Sequence, residues 1–302
     1  MFESRREILF AYSVKDGNPN GDPLNANHPR YDEETQQVMS SDVRIKRTIR
    51  DQFIHDGEDV FIDGEAKTLD KRFSELKKKL NVQTGKDAMG KCIDSRLFGV
   101  TFALDKESFS WTGPVQFKWA RSLNKAKVDF IQGTGGFATT DTSEQRTFRN
   151  EYKVPFALMI TYGIANQNSS KISSATDEDL SKMINALWNG TNNLITRSKT
   201  EHRSRFLMEI EYKPNFEGHI GALDEKLSIV NKDGNRLSED EELALRSLKD
   251  FAVDISEIVQ NMEKVKDKVK QVKIFWDPEL NLKWLDDLKQ LLGDKLTIEK
   301  KR

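Results

Sequence analysis

Glu7-Ile8-Leu9-Phe10-Ala11-Tyr12-Ser13-Val14 is a run of large apolar and aromatic residues that reads as a buried strand. It leads straight into Lys15-Asp16-Gly17-Asn18-Pro19-Asn20-Gly21-Asp22-Pro23, so dense in Gly, Asn, Asp and Pro that it reads as a structured loop. Ser40, Ser41 and Asp42 then offer helix caps, and a helix is expected from about Val43 to Ile54. Ile45, Ile49 and Phe53 fall at i, i+4 and i+8 as its core stripe. Arg44, Lys46, Arg47 and Arg50 are left for other faces, with no acid among them.

The rest of the chain extends this beginning into a recognisable order. A strand is expected at Val115–Ala120, and the strongest strand in the sequence at Tyr152–Ile164, with Pro155 at its start or on an edge. A second helix is capped by Thr176, carries Asp177, Glu178 and Asp179 in its first turn, and stops at Gly190. A last strand runs near Arg205–Tyr212. Strand, helix, strand, strand, helix, strand is the ferredoxin-like order of RNA-recognition-motif domains, so the fold class is α+β.

Two excursions interrupt that order. Residues 56–108 read as an irregular insertion with a mixed-charge helix near Leu69–Leu80, and residues 124–150 as a polar, glycine-containing hairpin or loop. The last third is mostly helical. Ile255, Ile258, Val259, Met262, Val265 and Val269 mark one amphipathic helix with a solvated lysine face, followed by a short strand at Gln271–Trp276 and a closing helix at Leu280–Leu292.

Composition narrows the function. The chain of 302 residues has room for one large domain. It has no apolar run of about 18 residues and no secretory leader, so a cytoplasmic protein with no membrane partner is expected. The one cysteine, Cys92, excludes an internal disulfide framework and a multi-thiolate zinc site. His28, His55, His202 and His219 are scattered, and neither a nucleophile-elbow nor a phosphate-loop motif occurs. No catalytic residue, metal or cofactor is therefore expected.

Net charge is −1, from Lys+Arg 48 against Asp+Glu 49, whereas nucleic-acid-binding domains are commonly basic. Local potential decides binding, however, and the cations gather at element ends. One cluster is Arg44, Lys46, Arg47 and Arg50, where a capped helix start meets the Gly-Asn-Pro-Asn-Gly loop and free N–H groups suit phosphate oxygens. A second is Lys118, Arg121, Lys125 and Lys127, with Ser122 and Asn124 interleaved. A third is Arg146, Arg149 and Lys153, and a fourth Arg197, Lys199, His202, Arg203 and Arg205. Phe137 and Phe148 lie in the polar excursion, either as wedges between stacked bases or folded back on the body.

Asn18-Pro19-Asn20-Gly21-Asp22-Pro23-Leu24, Asn27-His28-Pro29-Arg30-Tyr31-Asp32 and Ser41-Asp42-Val43-Arg44-Ile45-Lys46-Arg47-Thr48-Ile49-Arg50-Asp51 resemble the N-terminal signature of the CRISPR Cascade backbone subunit family. The type I-B form is nearest and type I-C next. Gly113–Gln116, Arg121-Ser122, Val154–Phe156 and Tyr162-Gly163 share the resemblance, which covers residues 5–213. It implies a modified RNA-recognition-motif palm within 1–213, fingers at 56–110 and a thumb at 124–150, with a C-terminal, mostly helical segment (214–302) packed on the palm. It also implies a non-catalytic subunit that assembles with identical copies and other Cascade subunits in a helical filament along CRISPR RNA, presenting the guide for target DNA. Asn18, Asn20, Lys46, Arg47 and Arg50 would line the RNA backbone. Arg121, Ser122, Lys125, Phe137, Arg146, Arg149 and Arg203 complete the expected contacts. Two rivals stand beside this reading: a metal-dependent endoribonuclease of the type III kind using Asp22 or Asp42, and a stand-alone RNA-recognition-motif protein.

Overall fold

The computed structural model describes the backbone of residues 1–138 and 146–301, and side chains outside 134–149. β1 (Arg6–Gly17) leads through β2 (Tyr31–Asp32) and β3 (Gln37–Ser40) into α1 (Asp42–His55). Then come α2 (Leu69–Leu80), α3 (Gly85–Lys91), α4 (Ile93–Phe98) and the hairpin of β4 (Gly99–Leu104) and β5 (Glu107–Thr112). β6 (Val115–Phe117) and β7 (Ala120–Ser122) precede a long hairpin, β8 (Asp129–Ala138) and β9 (Arg146–Ala165). α5 (Gln167–Ser173), α6 (Asp177–Asn192) and β10 (His202–Tyr212) follow. The C-terminal part adds β11 (Ser228–Val230), α7 (Glu239–Ala244), β12 (Ala252–Asp254) and α8 (Ser256–Val265). It ends with β13 (Val269–Trp276), β14 (Leu282–Lys283), α9 (Leu285–Leu292) and β15 (Leu296–Lys300).

β1 sits at the centre of the main sheet, antiparallel to β9 on one side and β10 on the other. The order across the sheet is β15-β13-β10-β1-β9-β7-β3-β2. The four palm strands thus lie fourth, first, third, second in space, the ferredoxin-like arrangement expected from the sequence.

Alternation along β1 feeds two cores, because successive side chains point to opposite faces. Ile8, Phe10, Tyr12 and Val14 pack with Ile45, Ile49 and Phe53 of α1 and Leu180, Met183 and Leu187 of α6. Leu9 and Ala11 pack with Phe206, Met208 and Ile210 of β10 and with Leu223, Phe251, Ile258, Met262 and Leu288 from the C-terminal part. The sheet face that a bare RNA-recognition motif offers to bases is here covered by residues beyond 214. That counts against the stand-alone rival.

Four details depart from expectation. The C-terminal part is not mostly helical. α8 ends at Val265, and Val269 instead opens β13, which pairs with the free edge of β10 and then with β15. β-branched Val269, Val272 and Ile274 suit a half-buried pleated surface, which a helix-spacing count does not reveal. Residues 56–108 hold the expected helix as α2 but are not otherwise irregular, since α2, α3 and the β4–β5 hairpin close over their own core of Leu76, Val82, Met89, Cys92, Val100 and Phe102. Phe102, Phe109 and Trp111 stack there with centroids 5.1 and 5.4 Å apart.

Gly190 is not a helix stop, because α6 runs on to Asn192. A Cβ at Gly190 would meet the Thr48 carbonyl at 2.8 Å, so the glycine sets the close approach of α6 to α1. Pro155 lies inside β9, neither at its start nor on an edge. It falls where β9 changes partner: β8 pairing ends at Lys153, and the Leu123 N–H donates to the Leu158 carbonyl beyond it. The missing proline N–H costs no ladder bond at that gap. No helix among the described residues is long and apolar enough to cross a membrane.

Arg50 and Asp94 tie the insertion to the palm. Arg50 Nε donates to Asp94 Oδ2 at 2.7 Å, with the two side chains 9% and 1% exposed. Asp94 also accepts from the Phe61 and Ile62 N–H groups at 2.7 and 3.2 Å. Asp94→Ala leaves a buried guanidinium unpaired and should destabilise the fold by roughly 3–5 kcal/mol. Urea denaturation measures this, and a loss below about 1 kcal/mol, the scale of an exposed pair, would contradict it.

Candidate nucleic-acid interface

The loop after β1 is a fixed structure built from its own polar residues. The Asn18 N–H donates to the Ser198 carbonyl at 2.8 Å, and Gly17 permits that approach, since a Cβ there would lie 2.7 Å from the same oxygen. Asn18 Nδ2 donates to the Asn27 carbonyl at 3.2 Å, while its buried Oδ1 has no partner. Asn20 Oδ1 accepts from the Ser41 N–H and hydroxyl at 3.0 and 3.1 Å, and Ser41 Oγ in turn accepts from the Arg44 N–H. Asn20 thus holds the loop against the start of α1. Asp22 accepts from the Leu24 N–H and from Asn25, and Asp42 pairs with Lys46 at 3.3 Å. Both candidate acids have local structural roles. Among the described residues no three His, Cys, Asp or Glu side chains gather as a metal site.

Most of the expected cations are already engaged. Lys46 donates to Gln116 at 2.9 Å and lies 5.7 Å from the Phe98 ring centroid. Arg47 donates to the Ile62 carbonyl at 2.9 Å and pairs with Asp51. Arg50 is the buried partner of Asp94, which removes it from any solvent-facing groove. Arg121 pairs with Asp32 at 2.8 Å, and Lys118 with Asp224 and Glu225. Ser122 is fully buried, donating to the Asn124 carbonyl and accepting from the Val38 N–H. Lys125 is held twice by α7: its N–H donates to Glu242 and its Nζ to Glu239, both at 2.7 Å. Phe137, Phe148, Arg146 and Arg149 have side chains outside the described residues.

What remains is a strip the sequence did not delimit. Arg44, from the first cluster, meets Lys199 and His202, from the fourth, beside β1. The Arg44 side chain makes no hydrogen bond or ion pair among the described residues, and Lys199 donates only to the neighbouring Ser198 hydroxyl, while exposed Arg203, opposite Ser13 between His202 and Ser204, lies on the other face of the sheet. Burial lowers the pKa of Arg44, and burial followed by the Arg44 charge lowers that of Lys199. Burial, then Lys199 and Arg44, push His202 down to about 3. Asp51 favours the Arg44 charge, yet no carboxylate is bonded to Arg44 or Lys199 among the described residues, and such cations favour an anion.

Past Asn18 and Ser198, at the root of the β8–β9 hairpin, lies a cleft lined by Asn27, Asn150, Glu151, Tyr152 and Arg197, in which Arg197 pairs with Glu151 at 2.9 Å. There Tyr152 packs edge-on to His28 at 4.7 Å and against Phe130 at 5.1 Å. Phe130 is 54% exposed. Alternation along the hairpin, which sends Phe130 to its open face, was the available signal for this aromatic ledge.

His202 gives the site a pH signature. An unfolded chain takes up a proton near pH 6.5, which the folded one refuses until about 3. Stability should therefore fall as pH drops through that window, by up to ~1.4 kcal/mol per unit from this group, and be insensitive to it above. In His202→Gln the acid slope of the unfolding free energy should be shallower than in wild type. Identical slopes would mean that His202 is not held neutral.

Comparison with known proteins identifies the family. Residues 4–256 match the family described as CRISPR-associated protein Cas7. A protein of Haloferax volcanii with the same description is 28% identical over 312 aligned positions, covering 92% of this chain and 88% of the relative. Among solved structures, a chain of a "CRISPR RNA-guided surveillance complex, pre-nicking" superposes with TM-score 0.57 at 11% identity, covering 98% of this chain and 96% of the other. A chain of a "CRISPR RNA-guided surveillance complex" gives 0.54 at 13% identity, covering 99% and 95%. The match to the family spans most of the sequence, from the start of the palm into the C-terminal part, and the chain is a member of the CRISPR-associated protein Cas7 family.

Proposed function

We propose that this chain is the CRISPR RNA-binding backbone subunit of a Cascade complex, of the type I-B form that its loop signature resembles, and that it acts as a scaffold without catalysis. The observation that supports the reading is the pair Arg44 and Lys199, crowded beside His202 with no carboxylate bonded to either among the described residues, on a surface where neighbouring cations are already neutralised. RNA phosphates fill that deficit, and the backbone rather than the sequence is read. Asn18 and the aromatic ledge continue the path towards the hairpin, where Arg146, Arg149 and Phe137 would meet the RNA as the thumb. Asn20, Lys46, Arg47, Arg50, Ser122 and Lys125 act one step back, fixing the loop, the insertion and the hairpin root. Asp22 and Asp42 serve as turn and ion-pair groups, which favours the scaffold over the nuclease.

The strip can be tested by salt dependence. Replacing Arg44 and Lys199 together by alanine removes two phosphate contacts, and at about 0.7 per phosphate the log–log salt slope for single-stranded RNA should flatten by ~1.4. The same RNA should survive magnesium intact. An unchanged slope in a folded double variant removes the strip from the interface, and cleavage lost in Asp22→Ala or Asp42→Ala revives the nuclease.

The hairpin bears on assembly. Exchanging residues 127–147 for a short Gly-Ser linker should leave the palm folded, because its cores draw little from that segment. Cooperative binding to long RNA should fall, read by sizing and nuclease footprinting. Ordered oligomers with an unaltered periodic footprint would show that this segment does not join neighbouring copies.

A further inference from the structure

A small recess lies between β1, α1, α6 and β10, walled by Phe10, Ile45, Leu187 and Leu194 and with Arg44 among its lining. It has room for little more than a hydroxyl-sized group. One of its lining side chains, His202, carries a buried polar atom without a hydrogen-bond partner, Nε2, and the buried Ser40 hydroxyl is engaged by the Tyr12 phenol. Ser40 is 0% and His202 3% exposed. The recess's other β-hydroxyls are committed: Thr48 donates to the Arg44 carbonyl at 3.2 Å and Thr191 to the Leu187 carbonyl at 2.9 Å. The Tyr12 phenol faces Ser40, and burial pushes its pKa up to about 12, so it stays neutral. No carboxylate lines the recess.

Buried polar atoms are ordinarily paired, and the orphaned imidazole nitrogen in this recess indicates a missing partner. The partner must be small enough to enter, able both to donate and to accept, and attached to an anion that stays outside with the two cations. A serine hydroxyl and a neutral imidazole together offer a donor and an acceptor, the complement of another hydroxyl. Arg44 and Lys199 provide for the anion, and the apolar walls suit the edge of a sugar. We propose that the recess receives the 2′-hydroxyl of a ribonucleotide whose phosphate lies on Arg44 and Lys199, so that at this point the subunit distinguishes RNA from DNA. This rests on the RNA-binding reading and adds to it a chemical selection that phosphate contacts alone do not make.

The experiment uses the full chain and single strands of one sequence as RNA, DNA and 2′-fluoro RNA, which keeps the ribose pucker and lacks the hydroxyl. Wild type should bind RNA more tightly than 2′-fluoro RNA, by roughly three- to ten-fold per subunit site, the scale of one or two neutral hydrogen bonds. Ser40→Ala and His202→Gln, checked for folding by thermal melting, should reduce that ratio towards unity while DNA binding stays as in wild type. Equal wild-type affinity for RNA and 2′-fluoro RNA would overturn the hydroxyl site and leave the RNA-binding reading standing, with the recess occupied by water. A wild-type ratio retained in both folded variants would overturn it equally. Failure of wild type to bind any of the strands would instead remove the RNA-binding reading, and the inference with it. The wild-type comparison decides the matter even if a variant does not fold.

Discussion

β1 is buried on both faces, and the placement of everything functional follows from that. A strand with Ile8, Phe10, Tyr12 and Val14 on one side and Leu9 and Ala11 on the other cannot serve as an open platform. The second face is closed by the C-terminal part, fastened through Glu7. That carboxylate is fully buried and accepts from the Tyr162 and Tyr212 hydroxyls and from the Ile220 and Gly221 N–H groups. A buried charge persists only when its lone pairs are met, and here four donors meet them. Burial and the Glu7 charge raise both phenols well above their ordinary range, so they remain donors. With the sheet face sealed, a polymer can be held only along strand ends and loops.

Overall neutrality then acts as a selection rule for where an anion can lie. An exposed ion pair contributes little stability, about 0–1 kcal/mol, yet it abolishes the local positive potential. Lys118, Arg121 and Lys125 are cancelled in this way by Asp224, Asp32 and Glu239. Arg205 is cancelled inside the fold by Asp277. Arg44 and Lys199 stand out because no carboxylate is bonded to either among the described residues, rather than through density of cations. A count along the chain cannot register this, because the neutralising acids come from far away in sequence.

The same distinction separates what was legible in the sequence from what was not. Local chemistry was legible: Ser41 and Thr176 cap their helices, the α1 stripe of Ile45, Ile49 and Phe53 is buried, and the strand order emerges intact. Non-local chemistry was not. Helical spacing from Ile255 to Val269 cannot foresee that the edge of β10 needs a partner, which ends α8 early and turns Val269 into a strand. Arg50 looked like the next cation on a basic helix face, and only the fold reveals Asp94, 44 residues on, as its partner. The recess was divided between two sequence clusters, and their meeting depends on β1 lying beside β10.

The root of the long hairpin shows why rigidity belongs to this design. Asn124 is 1% exposed, donates to the Lys125 and Phe156 carbonyls and accepts from the Leu158 N–H, locking the point where the chain leaves the sheet. Lys125, one residue on, is clamped by Glu239 and Glu242 of α7. The hairpin therefore departs from a base fixed on both sides, by the palm and by the C-terminal part. A side chain locked at the base of a long hairpin fixes the direction in which the hairpin projects. In this chain the buried polar residues are spent on direction: Asn20 on the loop, Arg50 and Asp94 on the insertion, Asn124 and Lys125 on the hairpin. His202 Nε2, left without a partner, sits in the recess beside β1.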